Sequence, residues 1–349
     1  MLDMKKKHLI FLFVFLFIIT LALVLVGLMF NKTENEKVNG LTNQYDVSSD
    51  NTISYVVYEE GAPRLLLHNS EVTITAVSYD ENTQILDPTF NKDGSKLAYI
   101  TTNKDKETEL ISTVHFLNLS TNETAEIFTD SSTITEVEFH PNGESLLYLR
   151  AGTFENYSPI TGKRPHDFDV YEYHLTDKTL EQKTNLSQYS IHSLHVSADG
   201  ERVFLQRDDD ASVETAEESF NVKQRIFEIP LDAPEEMSII SDPDREVDVF
   251  SFTVTPSEEE IIFQSISNPD DGGIYEYELY KYNLHTKEEK QLTFFGEYVG
   301  DPVISEGGEI VYFMLDKKFG KGDPEYHLYQ MKLNGDQVLE IPLPLMLTE

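Results

Sequence analysis

The histidines are the residues of this chain whose type and spacing could first suggest metal chemistry. His192 and His195 lie three residues apart in the sequence IHSLH, and this spacing places them on opposite faces of a β-strand. One metal ion could not bind both without a kink in the backbone. We therefore expect these two side chains to lie in the core or along a channel, and no metal ligand is predicted.

Two acidic runs offer the hard oxygen ligands that suit Ca²⁺. They are DDD at 208–210 and DDGG at 270–273. Neither run has the spaced D-x-D-x-D-G pattern of a calcium-binding loop. Solvated loops are the favoured interpretation and Ca²⁺ is the alternative, so the sequence predicts no cofactor.

Nucleophilic and nucleotide-dependent catalysis find no support in the sequence. The chain has no cysteine, which excludes thiol nucleophiles, disulfides and zinc–thiolate sites. It also has no G-x-S-x-G nucleophile elbow and no glycine-rich phosphate loop. No catalytic pair can be singled out among 62 acidic residues. No catalytic residue is predicted, and an enzyme of the lyase or hydrolase type with dispersed active-site residues stays the alternative to a binding protein.

An aromatic and basic segment at 151–168 is the clearest candidate for binding, because the chain as a whole has a formal net charge of −35. Aromatic and arginine side chains are enriched among the residues that dominate interface energetics. A basic segment on an acidic protein would attract an acidic partner and orient it; the alternative is an insertion that binds nothing. The candidate residues are Phe154, Tyr157, Lys163, Arg164 and His166.

These segments lie within a repeated pattern. An alternating apolar strand, a tight polar turn and a second apolar strand recur six times, at 45–58, 88–102, 137–150, 194–207, 252–265 and 302–315. Two more strands follow each copy, and the turns are rich in Asn, Asp and Gly, which tolerate the positive φ of tight hairpins. Self-similarity at this period predicts a radial repeat of four-stranded units, each with strands A to D.

The repeat resembles that of the TolB-type propellers, relatives of the WD-repeat proteins. PTFNKDGSKLAY, from Pro88 to Tyr99, matches the family pattern P-x-[FW]-S-x-D-G-x-x-[IL]-[AV]-[FY] nearly throughout. The third and fourth copies match in part, whereas Asn51 and Glu258 stand in place of the turn glycine in the first and fifth. The resemblance implies an all-β fold, namely a six-bladed β-propeller of four-stranded antiparallel blades. Propellers of this family serve as protein-binding modules or as N-terminal lids on serine peptidases. Because the chain has no G-x-S-x-G elbow, the resemblance implies a protein-binding module.

The connections between strands differ between the two faces of this predicted ring. The B–C connections are long in three consecutive units, at 151–168, 208–223 and 266–276, whereas the A–B turns are short throughout. Consecutive blades are neighbours, so these connections should form one wall on a single face. Because long loops on a rigid scaffold commonly carry function, we expect a partner to bind there.

The first 30 residues differ from the rest of the chain. Residues 9–30 carry no charge and follow Lys5, Lys6 and Lys7. As a helix this segment would reach about 33 Å, enough to cross a hydrocarbon core of about 30 Å. Basic residues on one side keep the N-terminus in the cytoplasm.

The sequence thus predicts four regions in a single-pass cell-membrane protein of bacterial type. They are a cytoplasmic tail at 1–8, a transmembrane signal anchor at 9–30, a linker at 31–40 and an extracytoplasmic β-propeller at 41–349. The strong negative charge disfavours nucleic acid as a partner. We expect a non-catalytic binding or assembly module for an envelope protein, peptide or glycan, attached to the membrane by its anchor.

A cleaved signal peptide is the alternative for the N-terminus, but the apolar run is long and Gly27 to Phe30 offers no small-x-small cleavage site. We predict that the native protein keeps residues 1–30. Mass spectrometry of the membrane fraction should find peptides from this segment. A mature N-terminus near Asn31, with the protein released into the medium, would show cleavage instead.

Overall fold

The structure is a computed structural model that describes residues 2–29, 38–70, 72–104, 110–158, 162–211, 213, 215, 218–270 and 272–345. The chain begins with helix α1 (Leu2–Met29). Among the described residues, no helix is both long and apolar enough to cross a membrane. The transmembrane anchor predicted at 9–30 is therefore not found in the described part of the structure. Phe30 and most of the predicted linker, 31–37, lie outside the described residues.

The rest of the described chain forms 24 β-strands, which pair as successive four-stranded antiparallel units in chain order. Unit 1 contains β1 (Gly40–Val47), β2 (Ile53–Glu59), β3 (Ala62–His68) and β4 (Thr73–Ser78). Unit 2 contains β5 (Thr83–Phe90), β6 (Lys96–Asn103), β7 (Ser112–Asn118) and β8 (Glu123–Asp130). Unit 3 contains β9 (Ile134–Phe139), β10 (Ser145–Ser158), β11 (Gly162–His174) and β12 (Leu180–Gln182).

The second half of the chain repeats this arrangement. Unit 4 contains β13 (Ile191–Val196), β14 (Arg202–Asp208), β15 (Gln224–Pro230) and β16 (Ser238–Ile239). Unit 5 contains β17 (Phe252–Val254), β18 (Glu260–Ile266), β19 (Tyr277–Asn283) and β20 (Glu289–Gln291). Unit 6 contains β21 (Tyr298–Ile304), β22 (Ile310–Asp316), β23 (Tyr326–Lys332) and β24 (Leu339–Ile341). One parallel pairing, between Tyr277 and Tyr298, joins units 5 and 6 into an eight-stranded sheet.

Strand B of unit 3 shows why these sheets pack side by side. Successive residues of a strand point to opposite faces. Leu146 and Tyr148 of β10 accordingly pack against unit 2, whereas Leu147 and Leu149 pack against unit 4. Because both faces of the sheet are apolar, each unit needs a neighbour on both sides.

Six hydrophobic clusters meet this requirement, one between each pair of consecutive units and one between unit 6 and unit 1. In the last of them, Met314 and Leu328 of unit 6 pack with Tyr55 and Leu66 of unit 1. Strands of units 1 and 6 come from separate ends of the chain and do not exchange. Side-chain packing therefore joins the first unit to the last.

The segment after β24 covers this junction. Leu343 packs against the cluster between units 6 and 1, and the Tyr55 hydroxyl donates a hydrogen bond to the Pro344 carbonyl at 2.7 Å. The described part of this C-terminal segment therefore contacts the first unit. Residues 346 and 347 lie outside the described residues.

The A–B turns explain how two copies of the repeat dispense with glycine. Gly94, Gly143, Gly200 and Gly308 have φ between 67° and 78°, and Asn51 and Glu258 adopt the same left-handed conformation with φ of 64° and 55°. Asn tolerates this region at small cost, whereas Glu is strained there. The predicted all-β fold of four-stranded antiparallel sheets is confirmed, and the arrangement is propeller-like.

We predict that Leu328→Ala destabilises the fold by about 2–4 kcal/mol, because it leaves a cavity in the cluster that joins unit 6 to unit 1. Urea denaturation measures this loss. Hydrogen exchange should also accelerate in β1 and β2 as well as in β22 and β23, since both units lose packing. Leu339→Ala is the matched control, because Leu339 is 57% exposed; an equal loss in both variants would contradict the prediction.

Candidate functional site

The innermost strands, strand A of each unit, are linked by hydrogen bonds that begin at β-bulges. Asp87, Ser193 and Asp301 have positive φ where the pairing of strand A with strand B shifts register. A bulge takes its amide out of the regular ladder. In all three cases the freed amide donates to a side chain in the preceding unit.

Three side chains link units 1, 2 and 3: the carboxylates of Asp46 and Asp87 and the carboxamide of Gln44. The Asp87 amide donates to Gln44 Oε1 at 2.7 Å, and the Phe90 amide donates to Asp46 Oδ2 at 2.7 Å. Asp87 Oδ2 in turn accepts a hydrogen bond from the Val137 amide at 2.5 Å. Each carboxylate thus holds the backbone of the next unit.

Units 3, 4 and 5 continue the chain of bonds. Both oxygens of Glu136 accept backbone amides, from Ser193 at 2.9 Å and from Leu194 at 2.6 Å. His195 Nε2 lies 2.7 Å from the Phe252 carbonyl, and its position requires the ring nitrogen to donate. The imidazole therefore joins unit 4 to unit 5.

Unit 6 is hydrogen-bonded both to unit 5 and to unit 1. The Asp301 amide donates to Ser251 Oγ at 3.0 Å in the loop before strand A of unit 5. From unit 1, Asn43 Nδ2 donates to Asp301 Oδ2 at 3.3 Å and the Tyr45 hydroxyl donates to the Asp301 carbonyl at 2.6 Å. Side-chain hydrogen bonds therefore connect consecutive units from unit 1 to unit 6 and connect unit 6 back to unit 1. We call this set of bonded groups on and beside the strands A the channel ring.

The channel ring brings five carboxyl groups close enough to affect one another. Burial raises the pKa of Asp46 to about 7 and that of Asp301 to about 6. Burial, and then the charge of Glu136, raises the pKa of Asp87. Burial and the charges of Asp46, Asp87 and Glu136 raise the pKa of Glu138.

Glu136 differs from the other four carboxyl groups. Burial alone would raise its pKa, but the hydrogen bond and charge of His192 bring that pKa below its usual value. The same contact raises the pKa of His192 against the opposing effect of burial. His195, on the other side of the bulge, has its pKa lowered by burial. His192 contacts Glu136 and His195 contacts Phe252. The expectation that the two lie on opposite faces was wrong, because the bulge at Ser193 pairs them with Gln206 and Phe204, which share one face of β14.

The predicted binding segment 151–168 is a β-hairpin for most of its length and not an irregular loop. Strands β10 and β11 stay paired from Ser145↔His174 out to Ser158↔Gly162, whereas β9 pairs with β10 only as far as Arg150. The expectation of a loop was wrong because the two strands keep their ladder beyond the sheet. The base of the hairpin belongs to the core, since Ala151 and Phe168 are 2% and 6% exposed.

The five predicted binding residues lie beyond this base. In the ladder Phe154 pairs with Pro165, Lys163 with Asn156 and Arg164 with Glu155. Tyr157 lies at the register shift near the tip. The side chains of these four residues are outside the part of the structure that is described. The His166 side chain is described: it is 12% exposed and its Nδ1 lies 3.1 Å from Asp167 Oδ1.

The hairpin shares its side of the molecule with the other B–C connections, because antiparallel strands in each unit place all of them on one face. We call this the B–C face. In unit 4 the connection is held to unit 3, since Gln188 Nε2 donates to Asp210 Oδ2 at 3.2 Å. Asp210 also pairs with Arg207 at 2.6 Å, so this acidic run is engaged with the protein's own side chains. Asp271 of the second acidic run is outside the described residues.

The sequence reasoning missed the B–C connection of unit 6, residues 317–325. This segment reads KKFGKGDPE and lies against the connection of unit 5, because a side chain at Gly320 would contact Ile274 at 3.2 Å. Its signal was the same as that of 151–168, an aromatic residue among basic ones. It was overlooked because its length falls short of the other three.

An aromatic cluster supports this part of the B–C face. Phe319 stacks on Tyr298 with ring centroids 4.6 Å apart, and Tyr277 contacts both rings at 5.4 and 4.9 Å. Phe250 meets Tyr277 at 5.5 Å. Beside the cluster lies a cavity of about 90 Å³, which is lined by residues from 274–276, 296–297 and 316–321. A larger depression of about 510 Å³ lies beside Lys96 and Phe116 and opens elsewhere, near the C–D turn of unit 2.

One group of metal-type ligands occurs among the described residues, and no residue named from the sequence belongs to it. Glu172, His174 and Glu181 on the outer strands of unit 3 have ligand atoms within 4.8 Å of one another. The Lys183 ammonium lies 3.4 Å from both carboxylates. A lysine thus supplies the positive charge between two glutamates that face each other in the ladder.

No family model matches the chain, and no curated protein matches its sequence. Solved structures do resemble it. TolB from Acinetobacter baumannii superposes with a TM-score of 0.58 over 91% of this chain and 67% of that chain, at 15% identity. The β-propeller domain of the Trilobed protease from Pyrococcus furiosus, which has an open velcro topology, gives 0.51 over 88% and 86%, also at 15% identity.

An oligogalacturonate lyase in complex with manganese gives a TM-score of 0.52 over 81% of this chain and 75% of that chain, at 12% identity. Likenesses at 12–15% identity show the fold alone. The chain therefore has a TolB-like β-propeller fold. The resemblance inferred from the repeat is confirmed for the fold and not for a specific family.

We predict that the stability of the protein falls as pH rises from about 4 to about 7. A carboxyl whose folded pKa lies above its unfolded pKa binds more protons when folded, so raising pH through that window favours unfolding. Asp46, with a pKa of about 7, is the clearest contributor. Asp46→Asn should flatten the decline, since the amide oxygen can still accept from the Phe90 amide.

Urea denaturation at pH 4.5, 6 and 8 measures this effect. The matched control is Asp323→Asn, because Asp323 is exposed on the surface and its change should leave the pH profile as it is in the unmodified protein. A profile for Asp46→Asn that declines as steeply as that of the unmodified protein would contradict the assignment.

Proposed function

We propose that this protein is a non-catalytic binding or assembly module whose partner docks on the B–C face. The observation that carries the proposal is the hairpin of unit 3, in which β10 continues eight residues past the end of its pairing with β9, from Ala151 to Ser158. The hairpin lies on the face that also holds the connections of units 4, 5 and 6. A rigid scaffold that presents extended segments on one face is typical of a binding protein.

The channel ring favours binding over catalysis. Asp46, Asp87 and Glu136 accept backbone amides of neighbouring units at 2.5 to 2.9 Å. These carboxylates hold the fold together, and their oxygens are already engaged by the backbone. The enzymatic alternative would need reacting groups outside this set. The likeness to the lyase supports only a shared fold.

We infer that the units are the six blades of one closed propeller. Support comes from the six inter-unit clusters and from the channel ring, both of which return from unit 6 to unit 1. Closure of this kind leaves most strand edges covered. It also gives the B–C face a fixed geometry on which a partner could dock.

The predicted contact residues on the hairpin are Phe154, Tyr157, Lys163, Arg164 and His166. His166 is largely buried beside Asp167, so we assign it to positioning the hairpin and the other four to contact. An envelope protein, peptide or glycan is the proposed partner. Attachment to a cell membrane, with the propeller outside the cytoplasm, stays a prediction from the N-terminal sequence.

The proposal is tested by shortening the hairpin. Because Ala151 and Phe168 are core residues, only 152–167 should be replaced, by a short Gly-Ser turn. We expect the thermal transition to change little, and the affinity for the partner to fall at least about tenfold, since loss of one or two interface hot spots costs ~2 kcal/mol or more.

The partner is first captured on the immobilised full-length protein, identified by mass spectrometry and purified for titration. Glu259→Ala is the matched control, because Glu259 is exposed in an A–B turn on the opposite face and should not affect affinity. A folded, shortened variant that binds the purified partner at full affinity would show that the hairpin is not the contact surface.

A further inference from the structure

The cavity between units 5 and 6 has walls of two kinds. One wall is aromatic: Phe319 packs on the Tyr298 ring, and Tyr275 next to it is 48% exposed. The carboxylate residues Glu276 and Glu297 also line the cavity. Aromatic faces and carboxylates together favour a cationic group, through cation–π attraction and charge-assisted hydrogen bonds.

Glu276 is available to such a group. The Glu276 carboxyl lies over Gly296, because a side chain at that glycine would meet its carboxylate atoms at 3.7 Å. Among the described residues, no hydrogen bond or ion pair involves this carboxylate, although the Glu276 backbone is held by Asn268 and Ser267. Because its backbone is held in place and its carboxylate is unpaired among the described residues, Glu276 can accept a hydrogen bond from a ligand in the cavity.

A second carboxyl group lies behind the wall. Glu278 is 1% exposed, and its Oε1 accepts the Gly296 amide at 2.7 Å, while its buried Oε2 has no hydrogen-bond partner among the described residues. Burial raises the pKa of Glu278, and the charge of Glu276 adds to that effect. The carboxyl groups of Glu276 and Glu278 thus both lie against Gly296, which lines the cavity.

The lysine side chains near the cavity pair with carboxylates other than Glu276. Lys321 lines the cavity and lies 3.6 Å from Glu297, while Lys318 lies 2.6 Å from Glu325 on the outer side of the same loop. Both lysines are thus paired with other carboxylates. Their loop folds against Ile274, since Gly320 adopts a φ of 68° where a side chain would contact that residue.

We propose that this cavity binds the ammonium or guanidinium end of a lysine or arginine side chain on the partner peptide or protein. The Glu276 carboxylate accepts hydrogen bonds from this basic group, and Tyr275 and Phe319 cover the aliphatic stem of the basic side chain. The exposed Ile274 and Phe294, at 54% and 77%, offer apolar contact around the basic residue. A basic partner also fits a chain with a formal net charge of −35. This inference rests on the proposed binding function and names the chemistry of one of its contacts.

The test uses the full-length protein labelled with ¹⁵N-glycine, so that the Gly296 amide reports on the cavity wall. The probes are two capped pentapeptides, acetyl-Gly-Ala-Lys-Ala-Gly-amide and the same peptide with norleucine in place of lysine. We expect the lysine peptide to shift the Gly296 signal in a saturable way and the norleucine peptide to leave it in place. Glu276→Gln should weaken the lysine peptide at least about fivefold, since it removes a charge-assisted bond.

Glu306→Gln is the matched control, because Glu306 is exposed in the A–B turn of unit 6. This variant should bind the lysine peptide with the same affinity as the unmodified protein. Equal shifts with both peptides, no shift with either, or unchanged affinity in Glu276→Gln would overturn the proposal. These outcomes would not contradict the proposed binding function if the variant with the shortened hairpin still loses affinity for the purified partner.

Discussion

The fold depends on the fact that its sheets are apolar on both faces. Adjacent residues of one strand, such as Leu146 and Leu147 of β10, are fully buried against different neighbours. At roughly 25 cal/mol per Å² of buried apolar surface, a single sheet would leave half of its stabilising area in water. Each unit therefore requires two partners, and the clusters between consecutive units and between unit 6 and unit 1 meet that need among the described residues. The contact of Leu328 and Met314 with unit 1 is the point at which this condition is met.

Hydrophobic packing does not by itself decide how neighbouring units are aligned, and the channel ring supplies that alignment. Hydrogen bonds have fixed directions, and the bulges at Asp87, Ser193 and Asp301 aim one amide each at the preceding unit. The carboxylates that accept backbone amides in the channel ring lie close to one another, so their negative charges repel. The same groups therefore align the units and make the centre of the molecule sensitive to proton concentration.

The proposed binding function assigns recognition to the faces of the molecule, because the polar groups of the channel ring hold the units together. On the B–C face two chemically different regions lie on either side of unit 4. The hairpin of unit 3 carries Lys163 and Arg164 in its sequence, whereas the cavity between units 5 and 6 presents Glu276 beside Phe319. A partner with both an acidic and a basic contact would be held in one orientation, because charges of opposite sign at two separate points fix rotation as well as position.

The amino-acid sequence determined the strands, the turns and the number of repeats, because these follow from local rules: alternation of apolar residues and turn residues that accept positive φ. Even the departures at Asn51 and Glu258 were visible as turns without glycine. The tertiary structure alone decided which residues meet. Nothing local indicates that Asp87 contacts Val137, that Glu136 lies beside His192, or that Glu276 lies over Gly296, since each contact joins separate strands or loops. The sequence predicts a loop at 151–168 because strand pairing beyond a sheet edge depends on long-range register. The cavity was missed because its walls come from two units, and only the tertiary packing of unit 5 on unit 6 brings them together.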